Sequence, residues 1–285
     1  MNILVTGANG QLGQDIVRLL KEQHDVKGLG RDQLDITNEE QCSRVLSNFK
    51  PEIIIHCAAF TAVDRAETEE DLAYRINAFG TRNIAVAAEK IGAKLCYIST
   101  DYVFDGNGSK PYREYDNTNP QSVYGKSKRA GERLVESISS RYFIVRTSWI
   151  YGLYGDNFVK TMLKLAQESE TLKVVNDQIG APTYTVDLAR FLERLVQTEK
   201  FGVYHASNSG ICSWFDFACA IFEELGLHIK VEPCTTEEFP RLARRPRYSA
   251  MEHLAIRANG FEDLRHWREG LKEFLKQFAK YAKVK

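Results

Sequence analysis

A doubly wound parallel α/β sheet with a smaller C-terminal lobe is the fold this sequence predicts. Three observations carry the prediction: strand and helix patterns alternate through the first half, a glycine-spaced turn follows the first strand, and the rhythm changes after about Tyr151. Residues 3–6, 26–29, 53–56, 95–99 and 143–147 are short apolar runs that read as strands. Between them, apolar residues recur at helical spacing over 12–20, 45–49, 83–91 and 129–138. Repeated βαβ units imply a parallel sheet covered on both faces. Their connections are nearly always right-handed, which leaves a Rossmann-like, doubly wound topology.

The second half predicts helices near 158–167, 186–198 and 214–225, strands at 172–175 and 203–205, and a terminal amphipathic helix over 263–280. We expect a dinucleotide-binding domain over 1–150. Residues 151–285 should form mainly a substrate-binding lobe, with some segments returning to the sheet. Lys272, Lys276, Lys280, Lys283 and Lys285 mark a solvated basic face on a docked terminal helix rather than a membrane-surface helix.

Composition narrows the function classes. The chain has 285 residues, 44% hydrophobic and 27% charged, with 38 basic and 38 acidic side chains. No global field attracts nucleic acid or an anionic membrane. No apolar run approaches the roughly 18 residues of a membrane span, and the N-terminus enters a strand directly without a signal-like region. The expectation is a cytoplasmic protein. Its six cysteines form no Cys-x-x-Cys pair and read as reduced structural thiols, with no metal site.

Two motifs carry the chemistry. Gly7, Gly10 and Gly13 sit between the first strand and the first helix. Glycines there permit a tight turn and close backbone approach, and the helix N-terminus favours a pyrophosphate. The second motif is Tyr124-Gly-Lys-Ser-Lys128. In a helix, residues i and i+4 share a face, so the Lys128 ammonium is expected beside the Tyr124 phenol. A nearby cation should lower the phenol from its ordinary value near ~10 and make it a proton donor usable near neutrality. Upstream, Ser99-Thr100-Asp101-Tyr102 ends the fourth strand, where a hydroxyl can meet both a substrate oxygen and Tyr124; spacing does not say which hydroxyl. Together the motifs point to nicotinamide-dependent redox chemistry. At the end of the second strand, Leu29-Gly30-Arg31-Asp32 bears on the cofactor: Arg31 favours NADPH, while Asp32 and Asp35 keep NADH open. Asp35-Ile36 is expected to open the next helix.

These motifs resemble the extended branch of the short-chain dehydrogenase/reductase superfamily. More narrowly, Ala58-Ala-Phe-Thr-Ala-Val-Asp64, Ser99-Thr-Asp-Tyr-Val-Phe104, Arg146-Thr-Ser-Trp149, Asn176-Asp-Gln-Ile-Gly-Ala-Pro182 and Ala243-Arg-Arg-Pro246 are similar to the dTDP-4-dehydrorhamnose reductase family. The resemblance spans essentially the whole chain. It implies a catalytic trio of Thr100, Tyr124 and Lys128. It also implies cofactor contacts at Gly10, Gln11, Leu12, Asp35, Ile36, Ala58, Ala59, Tyr124 and Lys128, with Asn77 as a further polar group nearby. On the substrate side it implies Thr100, Asp101 and Trp149, to which Asn157 and Arg245 are added. The substrate implied is a dTDP-ketosugar reduced at C4 by NADPH. A 4,6-dehydratase is disfavoured because Tyr102 stands where those relatives have a carboxylate base. A reductase of another nucleotide-ketosugar and a non-catalytic regulatory subunit on this fold are the rivals. A homodimer stays open. The magnesium-bridged form described for some members is not carried over, since Asp15 replaces the expected glutamate.

Overall fold

The computed structural model describes residues 1–282; Lys283 and Lys285 of the expected basic face lie outside them. Five strands form where the apolar runs predict them: β1 (Asn2–Thr6), β2 (Asp25–Leu29), β3 (Ile53–His56), β4 (Lys94–Thr100) and β5 (Tyr142–Thr147). They pair in parallel in the order β2-β1-β3-β4-β5. Gly202–His205, from the second half, adds a sixth parallel strand beyond β5. The strand order reverses at β1, so the crevice beyond the carboxyl ends of β1 and β3 is the expected ligand site.

Strand alternation divides the core into two layers. Ile3, Val5, Ile53, Ile55, Phe143 and Val145 pack with the Gln11–Leu20 and Thr185–Val196 helices. Leu4, Ile54, Leu95, Tyr97 and Ile144 face the opposite layer, made by the helices Glu39–Phe49, Thr81–Ile91 and Val123–Ile138. All four residues of β3 are buried, and each such aliphatic side chain contributes about 1.5–3 kcal/mol over exposure.

Helix starts depart from the apolar pattern. The Glu39–Phe49 helix is capped by Asn38, whose side chain accepts from the Gln41 amide. Asp35 therefore does not open it; instead Asp35 Oδ1 accepts from the Thr37 amide and hydroxyl in the preceding turn. The Val123–Ile138 helix, capped by Ser122, starts six residues before the apolar pattern begins, because its first two turns carry Tyr124 and Lys128 instead of an apolar stripe. Between β3 and Thr81–Ile91 lie two short helices and a π-helical turn, Arg75–Gly80, which apolar spacing does not reveal.

A third cluster organises the second half. Tyr151, Val159, Tyr184, Phe217, Trp267, Leu271 and Phe274 are buried together. Leu271, Phe274 and Leu275 dock the Trp267–Ala282 helix, leaving Lys272, Lys276 and Lys280 exposed. The strand Thr171–Val175 pairs in parallel with Lys230–Cys234, an unanticipated strand whose Pro233 masks its sequence signal. Among the described residues the cysteines are all free, and no helix is long and apolar enough to cross a membrane.

Candidate active site

The glycine turn is built for close approach. Gly7 has φ of 65°, and a Cβ there would stand 2.6 Å from the Ala58 amide nitrogen; at Gly13 it would stand 2.3 Å from the Gly7 carbonyl oxygen. The Gly7 contact brings Ala58, just after β3, against the turn. Gly10 caps the Gln11–Leu20 helix, whose first amides point into the crevice. Leu12 and Ile36 send their side chains into the core, at 4% and 5% exposure, leaving their main chain for a ligand. Arg31 is exposed at the end of β2. Hydrogen bonds from Thr37 hold Asp35 below the usual carboxylate range, with smaller help from the charges of Arg31 and Arg75.

The Thr100, Tyr124 and Lys128 side chains converge at the end of β4. Ser99 donates to Glu132 Oε1 at 2.6 Å and is thereby occupied. Thr100, close enough to the Tyr124 phenol to oppose its upward shift, donates to Asp101 Oδ1 at 3.0 Å. Of the two strand-end hydroxyls, Thr100 is the one near the phenol. One expectation is reversed. Burial raises Tyr124 to about 12, with Thr100 opposing and the Asp101 charge adding, although part of the ring stays accessible. Lys128 does not lower it: its Nζ donates to the Ile98 carbonyl at 2.7 Å and lies 4.1 Å from the Tyr97 ring centroid. Burial depresses Lys128 to about 7, against the attraction of Glu132.

Next to Thr100, Asp101 is 2% exposed and raised by burial to about 6. Ser249 faces it without completing a hydrogen bond to its buried Oδ2. Trp149 adopts φ of 47°, a left-handed conformation costly for a bulky residue. Its indole stacks on Trp214 at 3.6 Å and covers Gly180, where a Cβ would meet it at 2.7 Å. Arg245 pairs with Asp64 at 2.7 Å and lies beside Tyr102, tying the 243–247 segment to the loop after β3. The Ala243 amide donates to the same Asp64 carboxylate, which the sequence reading did not single out.

Two predicted contacts have their polar atoms committed internally. Asn157 caps the Phe158–Leu165 helix through Oδ1 and donates from Nδ2 to Gln11 Oε1 and the Gly152 carbonyl. It joins the dinucleotide turn rather than the Thr100–Asp101–Trp149 group. Asn77 is fully buried in the π-helical turn, a feature often found at functional sites. It exchanges bonds with the Phe60 amide and carbonyl and donates to Ser127, bracing the loop after β3 against the Tyr124 helix. Asp15 accepts from Thr185 at 2.6 Å and Arg18 at 3.1 Å.

This fold and this arrangement of hydroxyls, amine and glycine turn define a nicotinamide-dependent reductase of the extended short-chain dehydrogenase/reductase type. The family described as RmlD substrate binding domain matches residues 1–280. The chain belongs to that family, and so to the dTDP-4-dehydrorhamnose reductases. It is 47% identical to the spore coat polysaccharide biosynthesis protein SpsK of Bacillus subtilis, over 96% of this chain and 97% of that one. It is 42% identical to a dTDP-4-dehydrorhamnose reductase of Aggregatibacter actinomycetemcomitans, over 95% and 97%. A crystal structure of dTDP-4-dehydrorhamnose reductase from Bacillus anthracis in complex with NADP superposes with a TM-score of 0.95 at 50% identity, covering 97% of this chain and 99% of that one.

Proposed function

We propose that this protein reduces the 4-keto group of dTDP-4-dehydro-β-L-rhamnose to give dTDP-L-rhamnose, using NADPH, as the final step in making a sugar donor for polysaccharide. The observation that carries the reading is the meeting of the Thr100 and Tyr124 hydroxyls, beside Lys128, at the mouth of a glycine-lined crevice. The close backbone approach at Gly7 and Gly13 and the free helix N-terminus fit a dinucleotide. When bound, a reduced nicotinamide supplies hydride to the carbonyl carbon.

In this reading Thr100 orients the substrate carbonyl and Tyr124 donates a proton to the developing alkoxide. A phenol held near 12 is fully protonated at neutral pH, as a donor must be. Lys128 supplies a donor for the cofactor ribose. Asp101 accepts from a sugar hydroxyl and Trp149 packs on the sugar face. Arg31 favours the 2′-phosphate of NADPH, with NADH as an alternative. Residues 151–285 serve mainly as the substrate lobe, and Arg245 sets the position of its 243–247 segment. Tyr102 is pushed well above its ordinary value by burial, which makes it a poor base and speaks against dehydration.

The test is loss of nicotinamide absorbance with dTDP-4-dehydro-β-L-rhamnose, run with NADPH and with NADH, with the product identified. Oxidation yielding dTDP-L-rhamnose is expected. Tyr124→Phe should slow kcat by about 10²–10⁴, the share typical of general acid catalysis. A folded, NADPH-binding protein without turnover would move the reading to another ketosugar or to a regulatory subunit.

A further inference from the structure

Glu132 is a fully enclosed acid that the mechanism above does not use. It is 0% exposed, and both oxygens are engaged. Oε1 accepts from Arg146 Nε at 2.9 Å and from Ser99 at 2.6 Å; Oε2 accepts from Arg146 Nη2 at 2.9 Å and from Arg129 at 3.2 Å. Arg146 is itself 3% exposed, and its Nη1 donates toward His205 Nε2 at 3.3 Å. Such two-pronged pairing fixes geometry as well as charge.

The three elements joined here are the ones that build the site. Ser99 immediately precedes Thr100 and stands opposite Arg146 across β4 and β5. Glu132 follows Lys128 by four residues on the Val123–Ile138 helix and so shares its face. Lys128 in turn bonds the Ile98 carbonyl, the residue before Ser99.

The groups facing Lys128 come from three elements. They are Glu132 on its own helix, Tyr97 on β4, and His56 and Cys57 at the end of β3. Burial keeps three of them neutral at ordinary pH: Cys57 is raised to about 12, Tyr97 is raised well above its usual value, and His56 is lowered to about 3. Glu132 is the acid among them, and it attracts Lys128.

We infer that Glu132 is a positioning residue for the Tyr124–Lys128 pair: clamped by Arg146 at the seam of β4, β5 and the helix, it supplies the counter-charge to Lys128 and fixes the helix to the strand end that bears Thr100. The part that concerns turnover rests on the reductase reading; the part that concerns Lys128 does not.

A pair that served only to hold the fold together would not change how Lys128 titrates. The experiment therefore follows the Lys128 ammonium by NMR in 15N-lysine-labelled protein, assigned with Lys128→Met, and measures the pH profile of kcat in parallel. Glu132→Gln is compared with wild type. Because it leaves Arg146 buried without its partner, Glu132→Gln/Arg146→Met is made as well, removing both charges at once. In folded Glu132→Gln, Lys128 should titrate about one pH unit lower, and in the double variant, which also loses the neighbouring cation, it should return toward wild type. The alkaline limb of kcat should move with it, so that in Glu132→Gln kcat above the limb falls about tenfold while KM changes little. A folded Glu132→Gln whose Lys128 titrates with wild type would overturn the inference, as would a double variant whose Lys128 titrates no higher than in Glu132→Gln. Absence of turnover in wild type would overturn the reductase reading instead, and the NMR titration would still decide the role of Glu132.

Discussion

Asp101 shows how the site trades stability for chemistry. Burial raises its carboxyl to about 6, against the opposing influence of Ser249, Thr100 and the backbone. The folded chain therefore holds this proton more tightly than the unfolded chain, whose value is 3.8. The stabilisation is fully present below the unfolded value and is lost as pH rises through about 6. At neutral pH the ionised, buried carboxylate costs about 3 kcal/mol. Asp101→Asn should raise stability by about that amount at pH 7.5, with a smaller gain at pH 5, while kcat/KM falls because the sugar hydroxyl loses its acceptor. Urea midpoints at the two pH values check this; equal gains at both would show an ordinary carboxyl. Such residues mark what a sequence can and cannot reveal. Tyr124 and Lys128 were legible because their i, i+4 spacing encodes proximity, whereas Thr100 was named by the family resemblance. The upward shift of Tyr124 was not, because burial is a property of the assembled fold. Asn77 and Asn157 look like free amides in the sequence, yet their partners Phe60 and Gln11 lie 17 and 146 residues away.

The Val123–Ile138 helix is pinned by two glycines inside it. A Cβ at Gly125 would stand 2.2 Å from the Tyr102 carbonyl oxygen; at Gly131 it would stand 2.4 Å from the Asn77 carbonyl oxygen and 2.5 Å from the Tyr97 hydroxyl. Glycine inside a helix costs about 1 kcal/mol relative to alanine. Here it lets the helix approach β4 closely enough for Lys128 to reach Ile98. Gly131→Ala should therefore destabilise, not stabilise, by about 1–3 kcal/mol. It should also lower kcat by roughly tenfold or more by displacing Lys128, one turn away. Thermal unfolding and steady-state rates on one preparation check both effects; unchanged values would show that the helix can move without consequence. The strands were legible at this scale because β1, β3, β4 and β5 are buried on both faces and read as continuous apolar runs. Helix starts and the Arg75–Gly80 turn were not, since their residues face ligands or neighbouring loops and carry no apolar period.

Across the whole molecule, buried histidines make the fold sensitive to acid. His56 joins Thr6 at the end of β1 to Thr81 at the start of a helix, through contacts of 2.6 and 3.1 Å. His205 lies between Arg146 on one side and the Tyr112 and Glu252 carbonyls on the other. Burial, then the charge of Lys128, lowers His56 to about 3; burial, then Arg146, pushes His205 well below its ordinary 6.5. Because both folded values are depressed, their contribution to stability is present above 6.5 and is lost as pH falls from there toward the folded values. Two protons taken up only by the unfolded chain cost roughly 2–3 kcal/mol per pH unit. Asp101 works in the opposite direction with one proton below about 6, while burial also lowers His253 and adds to the loss, so stability falls as pH drops below 6.5. Urea unfolding at about pH 6.5, 5.5 and 4.5 should show this fall. His56→Gln, whose amide can still bond Thr6 and Thr81, should make it shallower by about 1.4 kcal/mol per pH unit. A wild-type slope that stays flat, or one that His56→Gln leaves unchanged, would mean that the proton uptake lies elsewhere.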